Sequence, residues 1–534
     1  MINFVNNYER HVAARLLEFF GPALHWNRSL WSIGTSLALR EVLEASEAHR
    51  AGILGPESLQ AAISTSTRLI ARDPGIPEVQ RELLQKTLTS ASGSKSTLRF
   101  EGLEYCVIQQ LHSEIDQLYL GRWADAISQP KPIYGPERTA RAVASHLLDQ
   151  GFSGGFLHRW LTYQMKHQKL PLSLADALRD LSARSQEPPK QFDVLIVFPS
   201  RLESAAKKGF TVPRRWMEAP QVSEWLRSNG FSTKGVKQLG GLLLSVTEKD
   251  PEAAAEAAAE LVNVFAARVL VSLKKEIRPI PTAWVAGTKE PFKVNRQSRG
   301  VHVGAIHREN RVWVESEVDE IVDPAVELLA PLQSSSPSAA VAGGWAAVEA
   351  LLSEPDSSRA TAADRMAMIV ACSFPRAEFT MLSYVGEQLG GPVADRLANE
   401  KENRDRAIIV AEAIASGQFP DPPSWANSAA VARMTSVLAN PQAKLADIQT
   451  YASDTFRRLY RQRNLVLHGG RTSAVALRAC LRTVAPLVGA GIDRVVHARY
   501  VDQLRPLELA ARAKIGLGTI GPGAPAACVD LLGK

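Results

Sequence analysis

Residues 446–470 read ADIQTYASDTFRRLYRQRNLVLHGG. Wound at about 100° per residue, Phe456, Leu459, Tyr460, Val466 and Leu467 form one apolar stripe, so Ala446–His468 is predicted as a long amphipathic helix. Arg461, Asn464 and His468 lie within about 60° of one another on another face. Asn464 and His468 are four residues apart, so their side chains can meet. Arg463 lands near the middle of the apolar stripe, where a guanidinium needs an acidic partner or an opening onto solvent or ligand. Gly469 suits a helix C-cap and leaves His468 in the last turn.

The residue types at this helix end are those of phosphate chemistry. Two guanidiniums, two amides (Gln462 and Asn464) and an imidazole fall within Arg461–His468. An imidazole can move a proton near neutral pH, and guanidiniums can hold a phosphate. Together they are what cleavage of RNA without a metal requires. Between Tyr451 and Arg482 there are seven arginines (457, 458, 461, 463, 471, 478 and 482) against one acid, Asp454. On spacing alone, a solvated basic helix face accounts for the same pattern.

Outward from this segment the chain has ordinary globular composition. Of its 534 residues 45% are hydrophobic and 22% charged, and the length points to two to four domains. A net charge of +7 is compatible with a polyanionic partner without requiring one. Cys106, Cys372, Cys480 and Cys528 are too scattered for a local zinc motif or a disulfide framework. Glu9, Arg10 and His11 interrupt the first apolar residues where a signal peptide needs an unbroken run, and no stretch matches a membrane span. The expectation is a soluble cytoplasmic protein with no membrane contact.

The fold class expected is mainly α with a central α+β domain. Residues 1–185 read as helical, with apolar residues at three- and four-residue spacing in Val12–Phe20, Leu103–Leu120 and Val143–Leu148. A polar, proline-containing linker, Ser182–Gln191, follows. Residues 192–320 change texture. Five short runs, at 192–198, 241–246, 282–287, 300–306 and 311–316, read as strands, and the Ala-rich Asp250–Lys274 reads as a helix. Residues 325–515 are helical again. Residues 516–534, rich in Gly, Pro and Ala, are expected to be a flexible tail.

Arg463-Asn464-Leu-Val-Leu-His468, followed by Gly469-Gly470, resembles the signature of the HEPN superfamily (higher eukaryotes and prokaryotes nucleotide-binding), an Arg separated from a His by four to six residues. Gly344-Trp345, with Glu349 four residues after the Trp, resembles an early helix of that fold. The resemblance covers residues 325–515 and implies an all-α HEPN-like helical bundle. It further implies a metal-independent endoribonuclease without cofactors, working as a homodimer or higher homo-oligomer, with two motif helices facing each other. His468 would move the proton, Arg463 hold the scissile phosphate, and Asn464 orient phosphate or imidazole. Glu349 and Tyr460 would support them, and Arg461 is the competing phosphate-binding Arg. By the same resemblance the chain belongs with prokaryotic toxins and abortive-infection anti-phage effectors that cut tRNA, rRNA or mRNA. Residues 1–320 would sense a phage-derived trigger or partner protein, or drive assembly. The rival expectations are a non-catalytic HEPN protein that binds RNA or nucleotide, and a scaffold partnering another enzyme.

Other features are weaker. Residues 93–97 (GSKST) end like a phosphate-binding loop but lack its first Gly and a preceding strand. His158 and His167 lack a nearby ligand cluster, and His302 and His307 read as structural or surface residues. Lys207-Lys208 and Lys274-Lys275 read as solvated charges.

Overall fold

The computed structural model describes residues 4–21, 25–91, 98–129, 134–167, 173–200, 215–294, 299–313, 318–355, 358 and 360–533. The loop at residues 93–97 and the pair Lys207-Lys208 lie outside the described residues. Among the described residues the chain is mainly helical, with 21 α-helices and five short strands.

The strands are β1 (Lys190–Phe198), β2 (Trp216–Glu218), β3 (Gly240–Glu248), β4 (Thr282–Val285) and β5 (Phe292–Lys293). They form one sheet in the order β2-β3-β1-β4-β5, every neighbouring pair antiparallel. The central β1 is covered on both faces, which is why its sequence is a continuous apolar run rather than an alternation. Val194, Ile196 and Phe198 pack with Ala254, Ala258 and Val262 of the helix Pro251–Leu273. Leu195 and Val197 pack with Val222 and Leu226 of the helix Ala219–Ser228 on the other side. Each of these β1 side chains contributes about 1.5–3 kcal/mol by leaving water. Asp250 starts the long helix by accepting from the Glu252 and Ala253 N–H groups. It also accepts from the Ser153 N–H and hydroxyl, both at 2.8 Å, and so ties the α+β unit to the N-terminal helices.

Of the five expected strands, the one at 300–306 is absent and the one at 311–316 is not formed over its described residues. Residues 300–306 leave the sheet and run into a short helix, Ala305–Arg308. Val301, Val303 and Ile306 pack against the helical core, and the Ala305 N–H donates to Asp493 Oδ1 at 2.7 Å. The close crossing explains Gly489: a Cβ there would meet the His302 nitrogen at 2.7 Å. Residues 311–313 do not form a strand, and 314–316 lie outside the described residues.

The N- and C-terminal helices, expected as separate domains at 1–185 and 325–515, share one hydrophobic core. Trp31, Leu39 and Tyr119 belong to the same buried cluster as Phe374, Phe456 and Val484. The rings of Trp31 and Phe374 meet edge to face at 5.7 Å, and the Thr455 hydroxyl donates to the Trp31 carbonyl at 2.7 Å. Ion pairs cross the same boundary: Arg28–Glu378 (2.8 Å), Arg433–Glu137 (2.9 Å) and Arg482–Asp149 (2.7 Å). Periodicity identifies the apolar face of a helix but not the helix that covers it, so two sequence blocks became one core.

Within 325–515 the helix Ala360–Leu389 runs unbroken through Pro375. Pro392–Ala398 and Asn403–Ala415 follow it as separate helices. Residues 516–533, expected as a flexible tail, are ordered against the rest of the chain. The helix Pro506–Thr519 extends into them, a short helix Pro525–Val529 follows, and Cys528, Val529, Leu531 and Leu532 are buried in the shared core. Four apolar side chains near the end outweigh the Gly/Pro-rich composition around them.

Candidate active site

The segment carrying the arginines forms the helix Pro441–Leu467, started by Asn440, whose side chain accepts from the Ala443 N–H, with Pro441 in the first turn. At its end the His468 N–H donates to the Asn464 carbonyl at 2.9 Å, so the helical sense continues through His468. The Gly470 N–H bonds to the Val466 carbonyl (3.1 Å) and the Arg471 N–H to that of Leu465 (3.0 Å), which satisfies the last carbonyls. The left-handed residue is Gly470, at φ +62°, rather than Gly469. Gly469 is needed for space: a Cβ there would lie 2.7 Å from the Leu465 carbonyl and 3.0 Å from Ile53 Cδ1.

The two candidate arginines have opposite surroundings. Arg461 points inward and is 2% exposed; its Nη2 donates to Glu41 Oε1 at 3.1 Å. Arg458, equally buried, donates through Nε to the other oxygen of Glu41 at 2.9 Å. Burial alone would raise the Glu41 carboxyl, but Arg458 and Arg461 outweigh it and hold the group below the usual carboxylate range. Arg463 is half-buried and turns the other way. Its Nη1 donates to Asn464 Oδ1 at 2.9 Å and to His468 Nε2 at 2.8 Å. A guanidinium can only donate, so this contact uses the Nε2 lone pair and places the imidazole proton on Nδ1.

The local excess of arginine is mostly neutralised inside the fold. Arg457 pairs with Asp364, Arg458 and Arg461 with Glu41, and Arg471 with Glu47. Arg478 pairs with Glu248 and Glu260, and Arg482 with Asp149. Among the described residues Arg463 is the one arginine of the seven without an acidic partner. The cluster is therefore not a solvated basic face: among the described residues one of its guanidiniums is left over, and it is the one beside His468. Arg463 also does not sit in the middle of a buried apolar face. Phe456 and Leu459 are fully buried, whereas Leu467 next to His468 is 51% exposed.

The remaining candidates divide. Tyr460 packs against fully buried Trp345, ring centroids 4.9 Å apart, and so joins the motif helix to the helix Pro337–Leu352. Glu349 lies one turn beyond Trp345 and is half-buried. Among the described residues the hydrogen-bond partners of Arg463 are Asn464 and His468, so no bond joins Glu349 to the Arg463 guanidinium. Asn464 and His468 meet through the shared Arg463 Nη1.

Glu41 was not singled out from sequence, although a signal was present. It lies four residues after Leu37 and four before Ala45, on the buried face of the helix Thr35–Arg50. An acid in that position needs a cation. Glu44 accepts from the Val475 N–H (3.1 Å) and Glu47 from Arg471 (3.0 Å), so the same helix braces both sides of the motif.

Among the described residues no group of three or more His, Cys, Asp or Glu is placed to hold a metal ion, and no helix is long and apolar enough to cross a membrane. Comparison with models of known protein families, with curated proteins and with solved structures gives no match.

Proposed function

We propose that the chain is a metal-independent endoribonuclease with a HEPN-like C-terminal part, its active site assembled from Arg463, Asn464 and His468 of two copies. One observation carries this reading: among the described residues Arg463 alone of seven neighbouring arginines has no acid, and it stands 2.8 Å from an exposed imidazole. Its Nε and Nη2 make no bond to the described residues, which leaves a donor edge for phosphate oxygens. Exposed Leu467 beside His468 gives the pair an apolar margin suited to a second copy.

In this mechanism Arg463 turns its fork to the scissile phosphate and releases His468 Nε2. The freed nitrogen takes the 2′-hydroxyl proton as the 2′-oxygen attacks phosphorus. The bond from phosphorus to the 5′-oxygen breaks, and the imidazolium of the second copy protonates that oxygen. Arg463 stabilises the charge that builds on the phosphate oxygens, and Asn464 fixes the Arg463 side chain. The products are a 2′,3′-cyclic phosphate and a 5′-hydroxyl. DNA lacks the nucleophile and is spared. Cut tRNA, rRNA or mRNA would stop growth, as a toxin or abortive-infection effector does, with residues 1–320 setting when the site acts.

The test is expression in cells followed by RNA integrity analysis for the wild type, His468→Ala and Arg463→Ala. The expected result is growth arrest with fragmented RNA in the wild type and neither in the variants. Because the N-terminal helices share the core with the motif helix, the full chain has to be used. Wild-type arrest that persists in His468→Ala with intact RNA would favour a binding or scaffold role instead.

A further inference from the structure

A second group of cations lies away from the Arg463–His468 pair, in a cleft of about 1780 Å³ between the helical body and the α+β unit. Arg376 projects from the helix Ala360–Leu389 and Arg494 from Leu477–Val501; Arg308 and Arg404 stand beside them. Two of the four are accounted for by the protein. Arg308 Nη2 donates to both oxygens of Asp493, at 3.2 and 3.1 Å. Arg404 is clamped by Asp530 through Nε (2.8 Å) and by Asp405 through Nη1 (2.8 Å).

Arg376 and Arg494 are not accounted for. Neither guanidinium takes part in a hydrogen bond or ion pair with the described residues, and Arg376 Nη1 and Arg494 Nε are buried without any acceptor. Each is pulled down from the usual arginine range. Burial is the larger cause, and for Arg494 the charge of Arg376 comes next, bringing it to about 10. A buried N–H without an acceptor is unfavourable, and so are two cations brought side by side. Asp530 and Asp493 act on Arg376 and Arg494 through space, but among the described residues no carboxylate bonds either guanidinium, which leaves donors for an anion in the cleft.

We propose that Arg376 and Arg494 hold the phosphate end of a small phosphorylated ligand in this cleft. Two guanidinium forks lining one cleft match the several oxygens of a phosphate or pyrophosphate, whereas a single carboxylate fills one fork. Val529 and Leu532 at the same end supply apolar surface for an organic body. A nucleic-acid strand fits less well, because the arginines of the facing wall, Arg159 and Arg478, are already paired with Glu252 and Glu260 and are not free for a phosphate backbone running through. The proposal is independent of the ribonuclease reading.

The experiment is calorimetric titration of the full chain with sodium pyrophosphate at fixed ionic strength, alongside thermal melts. It compares the wild type, Arg376→Gln, Arg494→Gln and, as a control, Arg179→Gln, whose guanidinium is part of an exposed ion pair elsewhere. Pyrophosphate should bind and raise the melting temperature of the wild type and the control. Each cleft variant should bind at least about tenfold more weakly, the worth of one charged hydrogen bond. Without pyrophosphate both should melt no lower than the wild type, since repulsion has been removed. Three results would overturn the proposal: no binding by the wild type at millimolar pyrophosphate, undiminished binding by both cleft variants, or failure of both variants to fold. Binding of an RNA oligomer alone, with pyrophosphate inert, would overturn it as well.

Discussion

Replacing Glu41 by Ala tests whether Arg461 belongs to the fold or to the site. Glu41 is 3% exposed and is the common acceptor of Arg458 and Arg461, themselves 1% and 2% exposed. Its loss strands two buried guanidiniums. Breaking a buried pair from one side costs about 3–5 kcal/mol, and two cations on one acid place this case at the upper end. Unfolding entropy for a chain of 534 residues is roughly 1.1 kcal/mol per kelvin, so the midpoint should fall by roughly 3–5 °C. Scanning calorimetry of Glu41→Ala against the wild type reads this directly. Converting the trio together, Glu41→Leu with Arg458→Met and Arg461→Met, should recover most of the loss, because the desolvation cost disappears with the charges. RNA cleavage well below the transition should survive in Glu41→Ala. An unchanged midpoint would refute the reasoning. So would an Arg461→Met protein that is folded but inactive while Arg463→Met still cuts.

Further outcomes concern pH, thiols and the helix end. Burial pulls the His146 imidazole down to about 4, with Asp116 opposing and His112 adding to the fall. The native state therefore stays neutral there while the unfolded chain takes up a proton below about pH 6.5. Stability from this group is complete above pH 6.5 and declines as pH falls toward 4, by roughly 3 kcal/mol, and His146→Phe should flatten that part of the denaturation profile. Cys106 is exposed, whereas Cys372 and Cys480 are buried with their thiols pushed up to about 12 and Cys528 is buried with its thiol at about 11. A thiol reagent should thus label one cysteine of the native protein quickly and the other three only after denaturation. Gly470→Ala should cost about 1–2 kcal/mol in chemical denaturation, since φ is +62°.

Much of the helical content and the centre of the sheet were legible because their signals are local. The apolar run at β1 and the Asp250-Pro251 start of the long helix are examples. The run at 300–306 misled, because a short β-branched segment packs equally well on a helix, and Asp493 and Gly489, nearly two hundred residues on, decide the matter there. At the candidate site, spacing along the helix brought Asn464 and His468 together but grouped Arg461 with them; the structure puts Arg463 there, the Arg of the HEPN-like motif, and turns Arg461 to Glu41. The wheel did not reveal which arginine faces inward, since Glu41 lies more than four hundred residues away in sequence. Long separations likewise hid the neutralisation of the basic cluster, whose acids come from the N-terminal helices, the α+β unit and, for Arg457, the helix Ala360–Leu389.

The central claim is tested most directly by mapping the ends of RNA incubated with the purified full chain in excess EDTA. The account predicts cleavage that persists in EDTA, leaves 2′,3′-cyclic phosphate and 5′-hydroxyl termini, spares DNA of the same sequence, and vanishes in His468→Ala and Arg463→Ala. Cleavage that needs a divalent metal, or that continues undiminished in His468→Ala, would contradict it.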